Sequence, residues 1–146
     1  MKKYEFTGET KRVELWNRTA TLHRIKATVE FGFVKVGELG GWIEKEENLS
    51  HEGKAWVWGN AEVWGNAKVF LASHVLVMGS VGSRNDFTTF FRDKDNEITV
   101  KCGCFLGKID KFLEKVTQTH GNNKYALVYR AAVEVAKLQI ELTERK

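Results

Sequence analysis

The chain has 146 residues, 42% of them apolar and 29% charged, the proportions of a folded protein rather than of a disordered tail. A net charge of +4 would assist a nucleotide, a nucleic acid or an acidic protein as partner without selecting among them. No run is long enough to span a membrane, the amino terminus lacks a signal-peptide core, and two cysteines one residue apart make no disulfide framework, so an intracellular protein is expected.

Residues 1–36 read as an amino-terminal β segment. Tyr4 and Phe6 alternate with polar neighbours, as does the run from Leu22 to Lys26, and Val29, Phe31, Phe33 and Val34 continue the pattern. Gly37, Gly40 and Gly41 close the segment.

Residues 37–82 carry a repeat. On a six-residue frame, residues 53–82 read GKAWVW, GNAEVW, GNAKVF, LASHVL and VMGSVG. The third position is always small (Ala55, Ala61, Ala67, Ser73, Gly79) and the fifth is always valine (Val57, Val63, Val69, Val75, Val81). A small residue and a β-branched residue kept in phase predict a short left-handed hexapeptide β-helix, with valine inside and the small residue where the wall turns. Trp58, Trp64 and Phe70 would then fall on three successive outer faces. An aromatic on each face must be wrapped by the rest of the chain or by other subunits.

Residues 83–146 predict a carboxyl-terminal ββαα unit that caps the β-helix. Strands are expected over 88–91 and 97–102 with a polar turn over 92–96. A helix follows from about Lys108 to Thr119, with Ile109, Phe112, Leu113 and Val116 on one face. Gly121 and Asn123 are stop and cap signals. The last helix, about Lys124 to Glu144, is apolar on two sides, which predicts burial against a second subunit and hence a homodimer or larger homo-oligomer.

The densest polar group lies in GSRNDFTTFFR. Ser83, Arg84, Asn85, Asp86, Thr88, Thr89 and Arg92 beside glycines offer a cradle for a phosphate, with Phe87, Phe90 or Phe91 to stack on a base. The same residues also suit a β-helix cap and turn, with the phenylalanines in the core. Cys102 and Cys104 lack the second pair that a metal site needs and read first as structural thiols. Cys chemistry with His120 as base would need a third group that no motif announces. His74 lies within the repeat, where acyltransferases built on hexapeptide helices use a histidine, but the long loop that forms their substrate cleft is absent from this sequence. No catalytic residue, metal or cofactor is expected from these patterns.

The stretch LHRIKATVEFGFVKVGELGGWIEKEENLSHEGKAWVWGNAEVWGNAKV and the stretch GSRNDFTTFFRDKDNEITVKCGCFLGKIDKFLEKVTQTHGNNKYALVYRAAVEVAKL together resemble small phage and prophage proteins built on "GNA" hexads. The resemblance implies an accessory protein made in the host bacterial cytoplasm, without assigning it a reaction. By analogy of class it implies a non-catalytic binding protein that acts against host defence, by sequestering a nucleotide-type signal or by occluding a defence protein. A structural virion or assembly component and an acyltransferase relative are the alternatives.

Overall fold

A computed structural model of the chain describes residues 2–15, 18–82 and 86–142. Tyr4–Leu15 (β1) and Arg18–Ala27 (β2) form a long antiparallel hairpin, and β2 pairs antiparallel with Leu39–Ile43 (β3). β3 pairs parallel with the two-residue β4, Glu62–Val63, to complete a four-stranded sheet. The second sheet is an antiparallel meander of Val75–Val81 (β5), Asp86–Arg92 (β6), Ile98–Cys102 (β7) and Phe105–Lys108 (β8). Ile109–His120 (α1) and Lys124–Gln139 (α2) pack over it. Among the described residues no helix is long and apolar enough to cross a membrane.

The left-handed β-helix expected over residues 37–82 is not formed: the protein is two four-stranded sheets with a carboxyl-terminal helix pair. The in-phase residues do go inside, since Ala55, Val57, Ala61, Val63, Ala67 and Val69 are all buried. What fails is stacking. Residues 57–69 meet residues 41–50 in one parallel step, through Gly41 N to Val57 O, Glu44 N to Val63 O and Ser50 N to Val69 O. A solenoid would bend the chain at every sixth residue. β5 instead runs seven residues without a corner and pairs antiparallel with β6, so the fourth and fifth hexads never close a coil.

The wrapping expected for the aromatics is uneven. Trp56 and Trp64 are fully enclosed, with the Arg18 guanidinium 5.3 Å from the Trp64 ring. Phe70 is partly exposed beneath Arg92, at 4.8 Å, and Trp58 keeps 44% of its surface in water. Phe31 and Val34 close a turn rather than continue a strand.

Two cores meet at β6. Phe91 joins the core of the first sheet, with Leu22, Ile25, Ile43, Leu49, Trp56 and Trp64. Phe90 joins the core under the helices, with Val100, Phe112, Val116, Tyr129 and Val133. Successive residues of a strand face opposite ways, so one strand serves both. The helices begin and end where the sequence marks them: the Asn123 side chain accepts from Ala126 N at 3.1 Å, and Gly121 closes α1 at φ 61°. α2 stops at Gln139, short of the expected end.

A buried carboxylate holds the turn between β6 and β7. Asp93 is wholly enclosed; it accepts from Asp95 N (2.9 Å) and Glu97 N (3.1 Å) through Oδ1, and from Thr99 Oγ1 (2.7 Å) and Lys108 Nζ (2.8 Å) through Oδ2. Lys108 also reaches Asp95 and Glu97, at 2.9 and 3.0 Å. These carboxylates outweigh its desolvation and raise its pKa above the ordinary lysine value. Asp93→Asn keeps the Oδ1 bonds but places an NH2 donor against Lys108. Urea unfolding should show a loss of about 2–4 kcal/mol; an unchanged midpoint would show that the turn does not depend on this charge.

Lys3 is buried at the other end of the first sheet. Its ammonium donates to Ala55 O at 2.6 Å and lies 4.7 Å from the centre of the Phe31 ring. Burial pulls its pKa down to about 8. The folded state therefore sheds this proton near pH 8, while the unfolded chain holds it to the ordinary lysine value. Between the two, the unfolded state binds more protons and stability rises with pH. Unfolding free energies measured from pH 7 to 10 should rise more steeply in the wild type than in Lys3→Met; parallel curves would contradict this.

Candidate functional site

An apolar cleft opens between the β7–β8 turn and the helices. The turn is tight: Cys102 pairs with Phe105, and Gly103 at φ 56° takes the left-handed corner. Cys102 and Cys104 are thus on either side of a hairpin corner, not on one continuing strand. Both thiols nonetheless line the cleft. Cys102 is fixed from behind by the Thr88 hydroxyl, which donates to Sγ at 3.3 Å from the paired position on β6.

The cleft has a volume of about 230 Å³ and an aromatic wall. Phe112 lies 5.4 Å from Phe105 and 5.6 Å, edge-on, from Tyr129. The His120 ring stacks on Tyr129 at 5.9 Å and leans on Tyr125 at 5.6 Å. His120 ends α1 and Tyr129 lies on the inner face of α2, so the short loop between the helices brings the two rings together. Lys115, one turn before His120, stands at the rim. Beyond it the cleft continues into an open recess of about 440 Å³ shared by Cys104, Phe105 and Lys115 and lined also by Lys111, Glu114 and Gln118. Lys111 pairs only loosely with Glu114, at 3.3 Å on the exposed helix face.

This arrangement joins an apolar slot bordered by rings to a wet recess bearing two lysines. A planar group can enter the slot and an anionic group can remain in the recess. Neither thiol is hydrogen-bonded to His120 among the described residues, and no cluster of three metal-ligating side chains occurs among them.

Of the residues singled out in GSRNDFTTFFR, the described ones (Asp86, Thr88, Thr89 and Arg92) are not brought together at one place. Ser83, Arg84 and Asn85 lie outside the described residues. β6 sends the others different ways. Thr88 is buried behind Cys102, and Thr89 is buried on the opposite face, accepting from Glu62 N at 3.0 Å. Arg92 donates to Lys68 O at 2.9 Å and to Asn96 Oδ1 at 3.2 Å and covers Phe70. Asp86 and Thr89 border a separate polar recess of about 140 Å³ with Phe87, Trp42 and Glu62. There Glu62 is held as an ion pair by Lys11 at 2.6 Å and Lys101 at 3.2 Å, so both cations are already engaged. That volume suits a single small anion rather than a nucleotide.

His74 is fully buried. Its Nδ1 accepts from Phe70 N and Leu71 N, at 3.2 Å each, which places the proton on Nε2. Burial foremost, then the nearby Arg92 charge, lowers its pKa, and Glu141 opposes this. The ring pins a turn. Cleft residues that sequence reasoning passed over are Phe105, Lys111, Lys115 and Tyr129; a helical wheel of α1 and α2 could have gathered the last three, while Phe105 opens β8 and carries no such signal. No protein-family model matches the chain, and no curated protein matches it.

Gly82 links β5 to this region. At φ 79° it abuts the Tyr129 hydroxyl so closely that a Cβ has no room. Gly82→Ala should cost about 2–4 kcal/mol by thermal or urea unfolding, from left-handed strain and displacement of Tyr129. A variant as stable as the wild type would mean that Tyr129 is not held in this position.

Proposed function

We propose that the protein is a non-catalytic binding protein that takes a small phosphorylated aromatic ligand of the nucleotide class into the α1 cleft. The observation that carries this reading is the junction of the aromatic slot with the lysine-bearing recess at Lys115. The base would lie against Phe105, Phe112 and the His120–Tyr129 pair, and the phosphates would meet Lys111 and Lys115. The likeness to phage and prophage proteins favours a role inside an infected bacterium, where holding a nucleotide signal out of solution would blunt a host defence. Sequestration needs affinity and no bond chemistry, which fits a cleft whose thiols and histidine form no hydrogen-bonded relay.

A second reading is occlusion of a host protein. One observation favours it: Phe33 is 92% exposed in a loop that also exposes Val36, and Leu39 at the start of β3 is exposed as well, apolar surface of the kind found at protein interfaces.

Titration calorimetry against mononucleotides, cyclic nucleotides and ADP-ribose separates the two. Binding by at least one is expected, weakened about 5–20-fold by Lys115→Ala, on the order of one charge-assisted contact. Phe33→Asp should leave that affinity unchanged. Absence of binding across the set, or indifference to Lys115→Ala, would remove the cleft as the site and leave the host-protein reading.

A further inference from the structure

α2 has a second face that its own chain does not cover. The side packed on the sheet carries Ala126, Tyr129, Ala132, Val133, Ala136 and Ile140, all buried. The opposite side carries Leu127, Ala131, Val135, Leu138 and, just past the helix, Leu142, all exposed, Leu138 by 86%. These positions recur four, four, three and four residues apart, the spacing of a seam between two helices. Such a row on a helix already buried on its other side marks a contact surface.

The charges beside the row specify the occupant. Within the helix Arg130, Glu134 and Lys137 lie along one flank and the other flank carries Val128 and Gln139, while Lys124 stands at the amino-terminal end of the row. Two copies of the helix laid antiparallel bring like flanks together, so Glu134 of each meets Lys137 of the other. The Arg130 guanidinium is turned to the end of α1, donating to Gly121 O at 2.8 Å, Asn122 Oδ1 at 3.1 Å and Thr117 Oγ1 at 3.2 Å, so the cross-pair is carried by Glu134 and Lys137. A parallel pair would set the charged flank against Val128 and Gln139 and would align the two helix dipoles unfavourably. Within one chain Glu134 and Lys137 are only 3.7 Å partners on an exposed surface, which contributes little by itself.

We infer that a second copy of this chain covers this face, its α2 antiparallel to the first and the Leu127–Leu142 row as the shared seam. This rests on α2 alone and is independent of the ligand proposed for the cleft. Light scattering on size-separated protein should give twice the 16.7 kDa chain mass. Leu138→Asp, at an exposed position, should give the monomer mass with the helical circular-dichroism signal unchanged. Glu134→Lys should raise the dimer dissociation constant at least tenfold, and Glu134→Lys combined with Lys137→Glu should return it to near the wild-type value. A monomeric wild type, or a dimer that survives Leu138→Asp, would overturn self-association through this face. Failure of the double reversal to recover the dimer would overturn the antiparallel arrangement.

Discussion

The structure depends on one strand that is buried on both faces. β6 places Phe91 in the core of the first sheet and Phe90 under the helices, and pairs along both edges with β5 and β7. Its two threonines follow the same alternation. Thr89 receives the Glu62 amide from the first sheet, while Thr88 donates to Cys102 beside the cleft. A hydroxyl is small enough to sit in either core and polar enough to tie a neighbouring backbone or thiol, so Thr89 links the two sheets while Thr88 ties β6 to β7 within the second. β7 and β8 are laid on β6, and α1 and α2 are laid on them, so the cleft inherits its geometry from this strand.

Buried charge is used at the edges of the fold rather than at a reaction centre. Lys3 caps backbone carbonyls at one end of the first sheet, and Asp93 gathers amides, a hydroxyl and Lys108 at the turn between β6 and β7. His74 does the same for a turn with a neutral ring. Each satisfies backbone groups that a turn leaves without partners, and such satisfaction makes a polar interior tolerable. The cleft contrasts with these places: its walls are rings and thiols, and its cations stand at the rim.

Local signals were legible in the sequence, and their assembly was not. The β6 and β7 segments, both helices, Gly121 and the Asn123 cap follow from alternation, helical spacing and end signals, all of which act over a few residues. The valine and alanine phase of residues 53–70 correctly marks an interior, because burial of a β-branched row does not depend on which backbone lies alongside. It misleads about architecture for the same reason. Inward valines satisfy one parallel step against residues 41–50 as well as they satisfy a solenoid, and only the antiparallel pairing of β5 with the following strand, β6, decides between them. GSRNDFTTFFR reads as a binding loop because its polar residues are dense, yet strand alternation separates Thr88 from Thr89 and turns Arg92 to the Lys68 carbonyl. The cleft was hidden because its walls come from a hairpin corner and two helices, none of which carries a motif alone. The exposed side of α2 was foreshadowed by its excess of apolar residues.

The most direct measurement of whether the α1 cleft is the working surface is amide chemical-shift mapping of isotopically labelled protein during titration with a mononucleotide. Shifts concentrated in residues 102–105, 111–120 and 125–129 are the expected result. Shifts concentrated instead around Lys11, Glu62 and Lys101, or no shifts at saturating ligand, would contradict it.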